Sequence, residues 1–523
     1  MKKILLILAG AFLPLLSFAQ EEAAKGWDEK INEAFEPIAN WWINIVLTSI
    51  PLGDGLNLPI VLILLIGGAL FFTIAFRFVN IRHFGTAIRV VRGKYDALEG
   101  RGPSTTDTVN VVEGDVVHTI KDEGHTGEVS HFQALTSAVS GTVGLGNIAG
   151  VAVAIVTGGP GATLWMIVAG LLGMSSKFVE CTLGVKYRDI DETGKVYGGP
   201  MYYMTKGLRE RGMASFGKIL AVIYAVLVIG ASFGGGNMFQ SNQAAAQIIT
   251  QFNWDSGYSG TLLGVIMAFF VGLVIVGGIK RIGSTTEKIV PFMAGLYILA
   301  GLAIIFMNIG DLGPAFSLIF TEAFNAQAVG GGVLGALIVG FQRAAFSNEA
   351  GVGSAAIAHS AVKTKYAASE GIVALLEPFI DTVVICTMTA LVIIITGNHI
   401  NPEGLNGVDL TTKAFSTIPN APYVLTLAIV LFAFSTMITW SYYGTQAWLY
   451  LFGKSKSTEM AYKVMFLFFV IIGAASQLDA VINFSDAMIL ALVFPNMIGL
   501  LFLFPNVRGE FVKYLNAIKN IGK

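Results

Sequence analysis

The stretch Ser140-Gly141-Thr142-Val143-Gly144-Leu145-Gly146-Asn147 decides the fold of this chain. It places three glycines and three polar side chains inside an apolar run that otherwise has the character of one membrane-spanning helix. Lipid offers no hydrogen-bond partner to backbone N–H and C=O groups that leave a helix, so such backbone is tolerated only where it is buried in protein or lines a cavity. The stretch therefore predicts an interrupted membrane helix with a binding role.

A second stretch, much later in the chain, repeats the pattern. Gly144-Leu145-Gly146-Asn147-Ile148-Ala149 and Gly351-Val352-Gly353-Ser354-Ala355-Ala356 both read Gly-aliphatic-Gly-(Asn/Ser)-x-Ala. Paired glycine-interrupted spans in the two halves of one chain are typical of transporters that bind their substrate between two repeats. We therefore expect both breaks to border one site for a small polar solute.

The composition is that of a membrane protein with many spans. Of the 523 residues, 54% are hydrophobic and 13% charged, with a mean hydropathy of +0.69, whereas a soluble domain carries about 25% charged residues. The two cysteines, Cys181 and Cys386, lie in apolar spans and are interpreted as packing residues, and the six histidines lack metal-ligand spacing. Nothing in the sequence implies a nucleic-acid partner, an organic cofactor or an obligatory protein partner.

The N-terminal residues 1–19 combine Lys2 and Lys3, a short apolar core and small residues before Gln20. This pattern predicts a cleaved signal peptide, with an uncleaved anchor as the alternative. The mature N-terminus would then be external. Residues 20–57 are predicted to form an external segment whose amphipathic part surrounds Trp41 and Trp42.

Eleven apolar spans follow, each long enough to cross about 30 Å of hydrocarbon. The loops between them alternate in charge. The predicted external loops 251–260, 310–330 and 476–480 hold no Lys or Arg and the longer 397–422 loop holds only Lys413, whereas each predicted cytoplasmic loop holds more than one basic residue. This bias predicts an external N-terminus and a cytoplasmic C-terminus in a bacterial inner membrane. The predicted spans are 58–76, 132–157, 162–186, 216–250, 260–279, 288–309, 329–360, 367–396, 422–452, 461–476 and 480–504.

The two interrupted spans divide the last ten into five plus five. An odd number of spans in each half inverts the halves relative to each other, as in the inverted repeats of many secondary transporters. The chain is thus predicted to be an all-α polytopic membrane protein with discontinuous first and sixth core helices. The predicted units are an extra helix at 58–79, a cytoplasmic loop with a polar insertion at 80–131, repeats at 132–309 and 329–505, and a cytoplasmic tail at 506–523.

Unwinding at the first break would expose N–H groups at the start of the second half-helix, where the helix dipole is positive and a carboxylate can dock. The carbonyls that end the first half-helix, the Thr142 hydroxyl and the Asn147 amide oxygen are oxygen ligands suited to a small cation. Close packing through small residues is the structural alternative. That alternative explains the glycines and leaves Thr142 and Asn147 unexplained.

Polar residues in three other spans are further candidates. Arg343 and Glu349 in the sixth core span are functional candidates because charge is costly in lipid, with an internal ion pair or a helix end that reaches the membrane interface as the alternative. Phe341 or Phe346 could close over a small apolar side chain. The remaining candidates are a third-span amide and hydroxyl cluster at 237–243 and the eighth-span residues Ser435, Thr436, Thr439 and Trp440, for which interhelical hydrogen bonding is the alternative role.

Four blocks of sequence resemble the alanine or glycine:cation symporter family over nearly the whole chain from Leu58. They are Gly141 to Ala154, GGPGATLWMIVAGLLG from Gly158, GGPMYY from Gly198, and RAAFSNEAGVGSAAIAHSAVK from Arg343. The second block departs from the usual Phe-Trp-Met-Trp by reading Leu164-Trp165-Met166-Ile167. The first break also resembles the unwound first helix of the neurotransmitter:sodium symporters, which implies the same five-plus-five fold.

The resemblance implies Na⁺-coupled symport of a small neutral amino acid, alanine or glycine, by alternating access. Proton coupling in the same fold, through Glu349 or Asp381, and a sensor that binds without transporting are the alternatives. A channel or an enzyme finds no support in the sequence. The third-span glutamine of the family is placed at Gln240 rather than Gln243. The implied substrate residues are Thr142, Gly144, Gly146, Gln240, Phe346, Gly351, Gly353 and Trp440, and the implied Na⁺ ligands are Ser140, Val143, Asn147, Ser435 and Thr436.

Overall fold

The computed structural model describes residues 27–53, 56–98, 127–254, 256–325, 332–400 and 404–521. The predicted signal peptide lies outside the described residues. Most of the predicted polar insertion lies outside them as well. Both therefore stay predictions.

The segment before the core is more structured than the sequence analysis predicted. A helix and a β-hairpin precede the extra membrane helix, and two short helices follow it, where a loop was predicted from residue 80. Their sequences are too short or too polar to register as spans, yet Thr86, Ala87 and Val90 are buried on one face. In order these elements are α1 (Trp27–Val46), β1 (Ser49–Gly53), β2 (Leu56–Pro59), α2 (Ile60–Ala75), α3 (Val79–Arg82) and α4 (Phe84–Val91).

The core begins with the first broken helix and contains two series of five helical segments. Ser130 caps the first segment, since its hydroxyl accepts from the Gln133 N–H and the Gln133 side chain accepts in return from the Ser130 N–H. The first series is α5 (His131–Thr142) with α6 (Ala149–Gly158), α7 (Ala162–Lys186), α9 (Ala214–Phe233) with α10 (Phe239–Phe252), α11 (Ser259–Ile275) and α12 (Gly278–Met307). Between α7 and α9 lie β3 (Asp189–Ile190), β4 (Val196–Tyr197) and α8 (Pro200–Glu210).

The second series starts with the other broken helix. A short helix, α13 (Leu312–Ala323), connects the series, and α19 (Gly407–Phe415) lies within the second; both occupy stretches predicted as external loops. The second series is α14 (Gly332–Asn348) with α15 (Ala355–His359), α16 (Ala367–Val373) to α17 (Leu376–Pro378) and α18 (Thr387–Ile395), α20 (Ala421–Phe452), α21 (Lys456–Ala475) and α22 (Leu478–Ala491), which α23 (Val493–Ile521) continues.

By length and hydropathy, seven helices among the described residues qualify as membrane spans, or eight with the bent pair at the first break. Ile60–Ala75 and Ser259–Ile275 are shorter apolar helices, and the sixth core helix is interrupted after Asn348. The all-α polytopic fold with breaks in the first and sixth core helices is confirmed. The count of eleven spans stays a prediction.

Two core helices contain a wider π turn that the sequence analysis did not predict. Gly234–Met238 joins α9 to α10, and Phe379–Cys386 joins α17 to α18. π turns inside α-helices frequently occur at functional sites. The second turn contacts the first break through Asp381, and the first turn packs against Trp440 of α20.

Candidate functional site

The first break is a tight turn between two half-helices. α5 ends at Thr142, a 3-10 turn covers Leu145–Asn147, and the two helical parts are bent by 56°. The Gly144 N–H donates to Asn147 Oδ1 at 2.9 Å, and the Leu145 N–H donates to Gln240 Oε1 at 3.0 Å. Two side-chain amide oxygens thus accept from the N–H groups at the positive end of the second half-helix, which is where an anion binds best.

Thr142 and Val143 close the first half-helix. The Thr142 hydroxyl lies 3.3 Å from the carbonyl oxygen of Ala138 and 3.4 Å from that of Val139, one turn back in its own helix. The Val143 N–H donates to the same Val139 carbonyl at 2.7 Å. Both residues are buried at the break, and their predicted binding roles stay predictions.

Ser140 joins the first broken helix to α20 through three hydrogen bonds. Its carbonyl oxygen accepts from Thr436 Oγ1 at 2.9 Å, and its hydroxyl donates to the Ser435 carbonyl at 2.8 Å and accepts from Thr439 Oγ1 at 3.1 Å. All four residues are buried. The structure thus brings together three of the predicted Na⁺ ligands, as carbonyl and hydroxyl oxygens of the kind that coordinate Na⁺ beside an unwound helix.

Asn147, a fourth predicted Na⁺ ligand, points instead to the seventh core helix. Its Nδ2 donates to the carbonyl oxygen of Asp381 at 3.0 Å and to Asp381 Oδ1 at 2.5 Å. Asp381 Oδ2 accepts from the hydroxyls of Ser347 and Thr382, each at 2.7 Å. Asp381 is fully buried, and among the described residues no Lys, Arg or His pairs with it.

Sequence reasoning considered Asp381 only as a proton acceptor and missed its contact with the first break. The signal that was available is an acidic residue inside an apolar span, which is a functional candidate by default. Its buried carboxylate is hydrogen-bonded by three neutral donors and is not paired with a described cation. This arrangement favours a positive charge close to Asp381, because an unpaired buried carboxylate is costly.

Aromatic side chains surround the turn. Phe346 lies against Gly146, where an added Cβ would be 3.3 Å from its ring, and packs edge-on against Phe239 at a centroid distance of 4.9 Å. Gly236, in the π turn, lies so close to Trp440 that an added Cβ would be 2.2 Å from Trp440 Cγ. Of the predicted residues, Gln240 therefore lies against Gly144 and Phe346 against Gly146, whereas Trp440 reaches the same break at Gly141.

Trp440 connects the two breaks. Its indole Nε1 lies 3.2 Å from the carbonyl oxygen of Gly141 in the first break and 3.1 Å from Glu349 Oε1 at the start of the second. Glu349 has a left-handed φ of +56°, which is uncommon for a residue with a side chain, and its other oxygen accepts from the Ser354 hydroxyl. One side chain of α20 thus contacts both breaks.

The second break differs from the prediction in where its glycines lie. An added Cβ on Gly351 would be 2.6 Å from Leu65 in the extra helix, and one on Gly353 would be 2.7 Å from Asn496 in α23. Both glycines have left-handed φ values, +90° and +88°, and they permit close packing away from Gly144 and Gly146. The structure therefore does not bring Gly351 and Gly353 together with the predicted substrate residues.

Arg343 and Glu349 do not form an ion pair with each other. Arg343 pairs with Asp486 of α22, and Gln342 Nε2 donates to the same carboxylate at 3.1 Å. The guanidinium also lies 5.4 Å from the centre of the Phe346 ring. This buried pair therefore joins the sixth core helix to the tenth beside a predicted substrate residue.

A second buried ionic cluster lies behind the second break. Lys177 in α7 pairs with Glu377 at 2.9 Å, and His359 Nδ1 lies 2.6 Å from Glu370 Oε1. His131 at the start of the first broken helix pairs with the other oxygen of Glu370. The cluster holds the segment after the second break against both α7 and the first broken helix, and sequence spacing gave no signal of it.

Comparison with known proteins is consistent with this geometry. The family model described as the sodium:alanine symporter family matches residues 45–523. The chain is 40% identical over 469 residues to the sodium/alanine symporter AgcS of Methanococcus maripaludis, covering 89% of this chain and 96% of that protein. It is 33% identical over 468 residues to the probable sodium/glutamine symporter GlnT of Bacillus subtilis, covering 89% of each.

Among solved structures, MhsT in complex with L-phenylalanine aligns with a TM-score of 0.48 and 15% identity, covering 73% of this chain and 100% of that one. The family match spans nearly all the described residues, including both breaks and the helices that contact them. These relatives are membrane transporters and not enzymes. The chain belongs to the sodium:alanine symporter family.

Proposed function

We propose that this chain couples the inward movement of Na⁺ to the uptake of a small neutral amino acid, alanine or glycine, by alternating access. The observation that carries the proposal is the first break, where one turn presents N–H donors and carbonyl oxygens within a few residues. The substrate carboxylate would replace the amide oxygens of Gln240 and Asn147 at the Leu145 and Gly144 N–H groups. Na⁺ would sit among the oxygens of Ser140, Ser435 and Thr436.

The size of the substrate follows from the walls of the turn. Phe346 lies against Gly146, and Trp440 lies against the Gly141 carbonyl. Thr436 and Gln240 crowd Gly144, so little space remains at this turn for a substrate side chain. A methyl group or a hydrogen fits such a wall best. The names of relatives support an amino-acid substrate and include both alanine and glutamine. The packing at the turn is what favours a small side chain.

The test is uptake of labelled alanine into vesicles that contain the purified protein. An inward Na⁺ gradient should drive accumulation, and replacing Na⁺ with choline should abolish it. Unlabelled glycine should compete, whereas unlabelled glutamine should compete weakly because its side chain is too large for the Phe346 and Trp440 wall. Equal uptake in choline would contradict the Na⁺ proposal, and strong competition by glutamine would contradict the size argument.

Proton coupling is the second candidate function, and one observation favours it. Asp381 is buried beside Asn147 and has no cationic partner among the described residues, so either a proton or a metal cation could neutralise it. A relative from Bacillus subtilis carries the name putative sodium/proton-dependent alanine carrier protein YrbD. In the same vesicles, a pH gradient without Na⁺ would drive uptake under proton coupling and leave it at the background under Na⁺ coupling.

A further inference from the structure

A cavity of about 500 Å³ lies at the ends of several helices and is lined by none of the residues predicted to bind substrate or Na⁺. It is formed by the end of α7, the strand β3, the segment that follows the second break, and α23. Four cationic side chains line it, and one carboxylate. They are Lys186, Arg188, Lys365, Lys513 and Glu510.

The cationic side chains come from separate elements and meet in one concave space. Arg188 is held in place by the carbonyl oxygens of Ser360 at 2.7 Å and Val362 at 2.5 Å. Lys186 pairs with Glu510 at 2.5 Å. Lys365 and Lys513 are exposed at the rim, and Lys513 lies 5.8 Å from the centre of the Tyr366 ring.

The balance of charge favours an anion. Four cations and one carboxylate leave an excess of three positive charges in the lining. Scattered basic residues on this side of a membrane protein follow from the positive-inside rule alone. The convergence of four elements on one cavity, with an arginine fixed by backbone carbonyls, is not explained by that rule.

Apolar residues also line the cavity, and they favour a lipid over a soluble anion as its ligand. Val185, Ile190 and Ala367 line the cavity beside the charges. Ile190 is 38% exposed, and Val512, next to Lys513, is 51% exposed. Because Lys186 ends a helix that qualifies as a membrane span by length and hydropathy, we expect the cavity to lie at the depth of lipid phosphates.

We propose that this cavity binds the phosphate headgroup of an anionic membrane phospholipid, with its acyl chains against the exposed apolar residues of α23. Basic pockets between helix ends commonly hold such headgroups. The exposed Lys365 and Lys513 would supply ammonium groups to the phosphate, and Arg188, whose N–H groups donate to backbone carbonyls, contributes its charge. A bound headgroup would link the end of α7 to the segment after the second break. It would therefore stabilise the folded protein.

The test titrates purified full-length protein in neutral detergent with phosphatidylglycerol, phosphatidylcholine or inorganic phosphate, and follows lipid binding and the thermal unfolding midpoint. Phosphatidylglycerol should bind and raise the midpoint, whereas phosphatidylcholine should do neither. The double substitution Lys365→Gln with Lys513→Gln should weaken phosphatidylglycerol binding by about 10-fold or more, since each lysine near the surface contributes to anionic-lipid affinity. The matched control is Lys218→Gln with Lys288→Gln, which removes two exposed lysines outside the cavity.

Glu510→Gln is expected to change phosphatidylglycerol binding in the opposite direction. The proposal therefore remains testable if the double variant folds poorly. The Glu510→Gln substitution removes the one carboxylate of the described lining and releases Lys186, so phosphatidylglycerol should bind more tightly than to the parent protein. Unchanged binding in both the double variant and Glu510→Gln would overturn the proposal. Inorganic phosphate that matches phosphatidylglycerol in effect would overturn the assignment to a lipid.

Discussion

At the scale of single residues, Gly144 is a position in the first break where the structure leaves no room for a side chain. An added Cβ would lie 2.5 Å from Thr436 Oγ1 and 3.0 Å from Gln240 Oε1. Its φ of −129° is accessible to any residue, so the constraint is space and not backbone conformation. Gly144 thus touches one residue of the proposed Na⁺ site and one of the proposed carboxylate site.

We predict that Gly144→Ala reduces Na⁺-driven alanine uptake by about 10-fold or more, because overpacking of a close contact costs about 1–3 kcal/mol. The methyl group would displace Thr436 or Gln240, and both are buried. The measurement is the initial rate of uptake per molecule of protein inserted into vesicles. Gly150→Ala is the control, since an added Cβ there has no neighbour within 4 Å. Equal rates for the two variants would show that the Gly144 contacts do not matter for transport.

The sequence predicted several residues of the first break and missed others. Ser140, Gln240, Thr436 and Trp440 were chosen from residue type and resemblance, and the structure brings all four to the first break. Asp381 was not placed there, because its contact with Asn147 joins positions 234 residues apart. A side-chain contact at that separation depends on how helices pack, and no local pattern encodes it.

At the scale of elements, the Arg343–Asp486 pair ties the sixth core helix to the tenth. Both side chains are only 4% exposed. Gln342 donates to the same carboxylate. A buried pair of this kind is costly to break on one side, since the remaining charge is left without a partner in a medium that solvates it poorly.

We predict that Asp486→Asn lowers the thermal unfolding midpoint in detergent and that the double variant Arg343→Met with Asp486→Leu recovers most of the loss. Removing one partner of a buried pair costs about 3–5 kcal/mol, whereas an apolar replacement of both partners is often neutral. Lys186→Gln, which breaks a more exposed pair with Glu510, should change the midpoint much less. A double variant that is less stable than Asp486→Asn would contradict this reading.

The elements themselves were predictable to different degrees. Both breaks were readable from glycine and polar residues inside apolar runs, and the structure has them at Thr142 and Asn348. The π turn at Gly234–Met238 was not, since the close packing of its Gly236 against Trp440 joins two helices far apart in sequence. Hydropathy also overlooked Phe84–Val91 and Gly407–Phe415, which are too short to form spans.

At the scale of the whole molecule, the two broken helices and α20 form one connected unit. Ser140 reaches α20 through Thr436, and Trp440 on the same helix reaches both Gly141 and Glu349. The proposed cation and carboxylate sites share the turn between Ser140 and Asn147. A ligand bound at either site fixes this turn, and it therefore lowers the free-energy cost of ordering the turn for the second ligand.

We predict that Na⁺ and alanine raise each other's affinity by the same factor, because coupling between two binding sites is reciprocal. Alanine affinity measured at low and saturating Na⁺, and Na⁺ affinity measured without and with saturating alanine, should give equal ratios. A coupling free energy of about 1–3 kcal/mol corresponds to a factor of about 5–150. Thr436→Val keeps the shape of the side chain and removes the hydroxyl that contacts Ser140, so alanine affinity without Na⁺ should be preserved while the ratio falls towards one. A Thr436→Val protein with undiminished coupling would place Na⁺ elsewhere, with the Asp381 carboxylate beside Asn147 as the next site to test.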